Sequence, residues 1–454
     1  MSTRRPKIDG PLNELDYARA IDPLSRYGPA MASFAKGIAW TCGIIAVTTA
    51  GSAIVYGRYK SRRPVKVRPQ DRVKIGILGT GWGITVQLPQ FRKADLEVIA
   101  IFSRGQQRAR QVAEQNGIKL WFSSAEDLCD CEEVDVVSIV TPPYLHCQQF
   151  LAALEAGKHV ICDKPMAMNG QEAEQMVDAA NQHPDQVAIV DHELRFTPMA
   201  QLAREHLQAG QIGQVRWVDV TVTLPAPSGG RKWDWWADET QGGGVVGAVG
   251  SHVIDLLRFV LQAEVSGVSA HLKTMASPLP DRADSDIKEA TSEDYASVQL
   301  TLIPQAAASS GIWGSDHPAS PPYQQPTDDR MPEIQAHVTL GLLGKAPSCA
   351  QMVIGADAGG AVLNLSTGSL EITNHQKQVV ASQRGSGSAF QHGTQLLGAA
   401  IQQALGPNAD KSALQCAAST SDGLAVMYVI DAMRASSRQQ GSTVQPKHIE
   451  QSRW

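Results

Sequence analysis

From about residue 71 onward, short apolar runs alternate with longer stretches of mixed character. Residues 73–78 (VKIGIL) read as a buried strand that runs into Gly79-Thr80-Gly81-Trp82-Gly83 and then into a helical stretch ending near Phe91. Residues 96–102 form a second apolar run, 106–115 read as a helix, 134–140 as another strand and 146–156 as a helix. Short strands follow at 159–162 and 187–190, with a helix over 168–181 between them. Strand and helix in alternation predict right-handed βαβ units and a parallel sheet, whose ligands bind beyond the carboxyl ends of the strands.

Beyond residue 200 the pattern changes. Long strands are expected at 215–224, 265–274, 296–303 and 336–342, shorter ones at 352–354 and 361–365, and helices at 389–405 and 413–436. Pro, Ser, Ala and Gln dominate 304–332, which reads as a loop insertion, either a partner contact or a stretch without fixed structure. No internal repeat and no coiled coil is visible.

The N-terminal portion stands apart. Residues 38–57 (IAWTCGIIAVTTAGSAIVYG) carry no charge and have the length a bilayer span needs. Arg58, Lys60, Arg62, Arg63, Lys66 and Arg68 follow at once, and no Asp or Glu occurs between Asp22 and Asp71. A cleaved signal peptide fits poorly, because the apolar stretch starts late and runs long. A transit peptide would be poor in acids from the start, whereas Asp9, Glu14, Asp16 and Asp22 lie early. A buried helix of a soluble domain is the alternative, but the segment has no amphipathic face and precedes the first domain. The expectation is a single membrane anchor. The basic cluster then puts the large domain on the positive-inside face, cytosol or matrix.

The expected fold is therefore α/β: an N-terminal Rossmann dinucleotide-binding domain, an α+β domain with a large, mostly antiparallel sheet, and a single N-terminal transmembrane helix. The divisions are an arm over 1–37, the anchor over 38–57, a basic linker over 58–71, the dinucleotide domain over 72–192 and the second domain over 193–454. Composition changes this picture little. A net charge of −5 in 454 residues gives no bulk attraction to nucleic acid. The seven cysteines form no CxxC pair and no Cys/His metal spacing, so no metal site is expected.

Candidate chemistry gathers at the strand ends. A G-x-G turn between strand and helix lets the backbone approach a pyrophosphate, which then faces a helix N-terminus. Gly79, Gly81, Trp82 and Gly83 occupy that turn, although the third glycine position of the fingerprint is Ile84. The second strand ends in Ser103-Arg104 instead of an acid. A hydroxyl and a guanidinium suit a 2′-phosphate, which favours NADP(H) over NAD(H); the alternative is a surface arginine. The strand at 159–162 leads into Cys162-Asp163-Lys164-Pro165, which places an ammonium where the chain leaves the core. Asp191-His192-Glu193-Leu194-Arg195-Phe196 follows the last strand of the first domain. His192 and Arg195 could bind a polyol or a carboxylate, or Arg195 could pin the domains together by ion pairs. Trp235 and Trp236 precede a triple glycine and either stack on a sugar ring or plug a domain seam.

GTGWG, TPPYLH at 141–146, CDKP, DHELRFTP at 191–198 and GGGVVGAVGSHVIDLL at 242–257 occur in this order. Together they resemble the Gfo/Idh/MocA oxidoreductase family, most of all glucose–fructose oxidoreductase domain-containing proteins, from about residue 71 to the C-terminus. The resemblance implies that Asp163-Lys164-Pro165 is the family's EKP motif. Its lysine would lie beside the nicotinamide and contact the substrate hydroxyl, with the proline fixing the turn, a cis bond being one way to do so. It implies that Thr141, Pro142, His146 and Asp163 border the cofactor and that His252 is catalytic beside Lys164. The family's pattern has an aspartate four residues before that histidine, where this chain has Ala248. Either His252 has another partner or catalysis is lost.

Two functions follow. The first is a membrane-anchored NADP-dependent oxidoreductase acting on a hydroxyl or carbonyl of a sugar-like small molecule. The second is a nucleotide-binding accessory subunit of a membrane complex, for instance in the mitochondrial inner membrane, with little turnover. The family's second domain often makes homo-oligomer contacts.

Overall fold

The computed structural model describes residues 67–225, 231–281, 286–305, 332–342, 348–385 and 387–447. The arm over 1–37, the span expected at 38–57, the basic linker up to residue 66 and residues 306–331 of the insertion lie outside the described residues.

The first half alternates as expected: β1 (Lys74–Leu78), α1 (Leu88–Lys93), β2 (Glu97–Phe102), α2 (Gln106–Asn116), β3 (Leu120–Phe122), α3 (Ala125–Cys129), β4 (Val136–Ile139), α4 (His146–Glu155), β5 (His159–Cys162), α5 (Gly170–Gln182) and β6 (Ala188–Val190). The central strands are buried on both faces, which is why they read as unbroken apolar runs. Their ends are set by local chemistry. The Asn169 side chain accepts a hydrogen bond from Glu172 N at 3.0 Å and starts α5. Gly117, at φ +61°, closes α2 in the left-handed region. β3 and α3 escaped the sequence reading because three and five residues are too few to show a period.

The second half comprises α6 (Pro198–Gln208), β7 (Val215–Thr223), α7 (Ser251–Leu261), β8 (Ala263–Lys273), β9 (Leu279–Pro280), β10 (Ile287–Lys288), β11 (Tyr295–Pro304), β12 (Ile334–Gly341), β13 (Cys349–Ala356), β14 (Gly359–Asn364), β15 (Ser369–Asn374), β16 (Val379–Gln383), α8 (Ala389–Leu405), β17 (Ala418–Ser419) and α9 (Thr420–Arg438). Eight of its strands form one sheet in the order β16-β15-β14-β13-β7-β12-β11-β8. It is antiparallel except where β12 runs parallel to β7. Alternation of buried and more exposed residues along most of β11 and β12 shows that this sheet covers a core with one face only.

The helix expected over 413–436 starts later, at Thr420. Ser419 and Asp422 form a reciprocal capping box that fixes this start, and Ala418–Ser419 is drawn into a strand instead. That strand, β17, joins the first sheet, whose order is β17-β6-β5-β4-β1-β2-β3, with β17 antiparallel and the other pairings parallel. α8 also returns to the first half. Leu397 and Ile401 pack into the apolar layer formed by Ile75, Ile77, Phe91 and Val98. Gln402 accepts from Val73 N at 2.9 Å and donates to Asp71 O at 3.0 Å. Among the described residues, one stretch, Glu239–Leu261, is long and apolar enough to cross a membrane; 89% of its apolar window is buried in the protein, as a core helix would be.

Candidate active site

The glycine turn after β1 is built for close approach. Gly79 has φ +133°, and a Cβ there would lie 2.5 Å from the carbonyl oxygen of Val140. A Cβ on Gly83 would meet Ile77 Cγ2 at 2.7 Å and Val140 Cγ1 at 2.8 Å. The tight helix–strand packing that the fingerprint assigns to its third glycine is thus achieved by Gly83, and Ile84 is free to be large. Residues Gly83–Gln87 make a π turn closed by Leu88 N to Gly83 O. α1 then starts with Pro89 near its N-terminus, where a missing N–H costs little.

A cleft of about 500 Å³ opens over the carboxyl ends of these strands. Gly79, Gly81 and Trp82 line it from β1, and Ser103 and Arg104 from β2. Thr141 and Pro142 line it from β4, Asp163 and Lys164 from β5. Trp235, Trp236, Ala248 and His252 form its far wall. The Lys164–Pro165 bond is cis. Lys164 Nζ donates to the carbonyl oxygen of Ala248 at 2.8 Å, so the residue that lacks a carboxylate still holds the ammonium by its backbone. Lys164 N donates to Asp163 Oδ1 at 2.8 Å, which ties the acid to the turn.

Four expected site residues do not line the cleft: Gly83, packed beneath the turn on Ile77 and Val140, and three buried side chains. His146 is buried, with Nδ1 3.0 Å from Pro165 O and Nε2 2.6 Å from Thr141 O. It joins two cleft-lining loops from beneath and does not itself line the cleft. Burial holds its imidazole below the ordinary range. Arg195 is also buried and points away, its guanidinium forked onto Asp255 (Nε–Oδ2 2.8 Å, Nη2–Oδ1 2.6 Å) and onto Asp422. Those carboxylates lie on α7 and α9, so Arg195 is the domain pin. His192 lies behind the wall, its Nδ1 4.0 Å from Asp255 Oδ2. Burial is the main reason its imidazole titrates down near pH 4.

Behind Lys164 lies an acidic layer. Asp191 Oδ2 accepts from Gln87 Nε2 at 3.0 Å, and Gln87 Oε1 accepts from Ser138 Oγ at 2.8 Å. Burial, and then the nearby Asp163, push the Asp191 carboxyl up to about 7. Glu193 is pushed well above the usual carboxylate range, by burial first and by Asp191 second. His252 is held well below the usual imidazole range by burial and then by the Lys164 ammonium. Its Nδ1 faces Glu193 Oε2 at 3.7 Å, and the ring packs edge-on to Phe390 at 5.2 Å between centroids. Phe390, with Ser366, Thr367 and Ser388, lines the cleft from the far C-terminal part of the chain. Nothing local marks these four. Ser388 and Phe390 arrive with the return of α8, and Ser366 and Thr367 with the turn between β14 and β15.

Similarity to known proteins places the chain in a family. A sequence model described as "Oxidoreductase family, NAD-binding Rossmann fold" matches residues 73–192, and one described as "GFO/IDH/MocA C-terminal domain" matches residues 200–313. The chain belongs to the Gfo/Idh/MocA oxidoreductase family. An uncharacterized oxidoreductase of Synechocystis sp. is 33% identical over 231 residues, 50% of this chain and 62% of that protein. Glucose-fructose oxidoreductase domain-containing protein 2 of Homo sapiens is 32% identical over 235 residues, 50% of this chain and 58% of that protein. The matches thus span less than two thirds of these relatives' own length. Among solved structures, levoglucosan dehydrogenase in complex with NADH and levoglucosan superposes with a TM-score of 0.66 at 20% identity, over 83% of this chain and 100% of that one. This last likeness is one of fold.

Proposed function

We propose that this Gfo/Idh/MocA protein binds NADP(H) and oxidises a hydroxyl, or reduces the matching carbonyl, on a sugar-like molecule. The observation that carries the reading is the cleft itself. A glycine cradle that a Cβ would fill stands at one end, and Lys164 and His252 face the same space. The backbone of Gly79–Gly83 would hold the pyrophosphate. Ser103 and Arg104 would meet the adenosine ribose. Arg104 Nη1 already lies 3.2 Å from the Tyr144 hydroxyl at the exposed rim, and a 2′-phosphate would bring both groups a charge-assisted partner. A bound nicotinamide would supply hydride exchange. Lys164 would hold the substrate oxygen and exchange its proton, while Trp235 and Trp236 offer aromatic faces to a ring. A levoglucosan-bound neighbour of the same fold supports a sugar-like substrate.

Lys164→Ala tests this. The expected outcome is a loss of about a hundredfold to ten-thousandfold in kcat, with NADP(H) affinity barely changed. A screen of polyols, aldoses and their oxidised forms that finds no Lys164-dependent change of nicotinamide absorbance would move the reading to a nucleotide-binding accessory subunit. We further propose that residues 38–57 anchor the chain in a membrane, with the large domain on the cytosolic or matrix side. Membrane-complex subunits or a second copy of the chain would be its partners there. Carbonate-washed membranes should retain the full chain and release a version starting at Asp71; release of both would remove the anchor.

A further inference from the structure

Two buried polar atoms beside the cleft face each other with nothing between them. Glu193 Oε2 and His252 Nδ1 are each fully enclosed and neither has a hydrogen-bond partner. They stand 3.7 Å apart, too far for a hydrogen bond and close enough that a few tenths of an ångström make one. Leaving both unpaired would cost desolvation twice. The Glu193 backbone has no room to drift, since α8 passes so close at Gly393 that any Cβ there would strike the Glu193 carbonyl oxygen. Phe390 on α8 packs on the His252 ring, and His192 meets it edge-on at 6.0 Å between centroids. With Nδ1 turned inward, Nε2 is the nitrogen left for the cleft that His252 lines.

We infer that Glu193 and His252 form one proton-holding pair, in which the Glu193 carboxyl decides which imidazole nitrogen carries hydrogen. This rests on the oxidoreductase reading for its purpose, though not for its existence. With one shared proton, Nδ1–H donates to the carboxylate, and Nε2 presents a bare lone pair to the cleft. When Nε2 takes a proton from a substrate hydroxyl, the Nδ1 proton passes to Oε2. The pair then holds two protons and no net charge, with Nε2–H now a donor. A buried imidazole could not bear that proton alone, because the Lys164 ammonium and burial both oppose its cation. Glu193 is therefore a positioning residue that acts through His252. The charged and titratable groups around the pair are Asp163 and Lys164 at the end of β5, Asp191 and His192 beside Glu193, and Asp255, Arg195 and Asp422 beyond His192. From α8, the group against the imidazole is Phe390, which does not titrate.

The test is histidine ¹⁵N NMR on the full chain without nucleotide. Wild-type His252 should change from the Nε2–H to the Nδ1–H tautomer as pH rises, without passing through a cation. Glu193→Gln, which keeps the shape and cannot titrate, should hold one tautomer at every pH. Glu193→Leu should give a pH-independent mixture. A wild-type tautomer that never changes, or the same switch in both variants, would overturn the pairing. Far-UV circular dichroism identifies a variant that has not folded, and the wild-type titration decides the matter by itself. Because no nucleotide or substrate is present, this result stands apart from that of Lys164→Ala.

Discussion

Arg104 and His192 show how one side chain can be read for function or for cost. Arg104 is at the exposed rim of the cleft, within reach of where a ribose would lie. Under the proposed preference for NADP, Arg104→Asp is expected to shift affinity towards NADH, weakening NADPH about tenfold or more, the order of one charge-assisted contact, while sparing NADH. Fluorescence titration of both nucleotides checks it, and equal affinities in the wild type would remove the preference for NADP. His192 reports on stability instead. Its pKa is about 6.5 unfolded and near 4 folded. The folded value is the lower one, so its contribution is complete above pH 6.5 and is lost as pH falls towards 4, to a total of about 3 kcal/mol. Asp191, whose folded value is raised to about 7, works the other way, adding stability below the ordinary carboxylate value and losing it as pH rises through 7. The two partly cancel in the wild type. Subtracting urea-unfolding curves of His192→Gln from wild type between pH 4 and 7 should isolate the histidine's share.

At the scale of elements, α8 joins the two halves of the site. It carries Phe390 onto His252 at one end and buries Leu397 and Ile401 against the first sheet further along. Gly393 is the point of closest approach. Gly393→Ala gains about 1 kcal/mol of helix propensity but must push backbone apart, at about 1–3 kcal/mol. A net loss is expected, with a lowered Tm and a displaced Phe390, and a raised Tm would show that α8 can shift freely. The same helix marks where the sequence stops being informative. Its bounds, Ala389–Leu405, follow from the sequence because they rest on local signals. Its destination does not, because packing against β1 some three hundred residues away leaves no mark in a helical period. The glycine turn and Lys164 were legible for the same local reason. Glu193 as the partner of His252 was not, since the two meet only after the domains dock.

The molecule as a whole is fastened by a few buried charges. Arg195 links the end of the first sheet to Asp255 on α7 and Asp422 on α9. Removing one partner of such a buried set typically costs about 3–5 kcal/mol, because the remaining charges stay in the dry interior. Arg195→Ala should therefore lower the stability of both domains in a single shared transition, visible as coincident fluorescence and circular-dichroism curves. Two separated transitions in the wild type would show that the domains unfold independently.

The pairing of β17 with β6 has a consequence for how the protein is made. The nucleotide-binding half leaves the ribosome before the second, yet its edge strand and the cover of the apolar face over β1 wait for β17 and α8, far later in the chain. Roughly two hundred residues must be added first, on the order of ten to forty seconds at ~5–20 residues per second. Throughout that interval the nascent sheet shows a free edge and a bare Ile75–Ile77 surface, which is the kind of surface that chaperones hold and aggregates recruit. A chain cut before Ala389 would accordingly strip support from the first sheet as well as the α9 cover from β8 of the second.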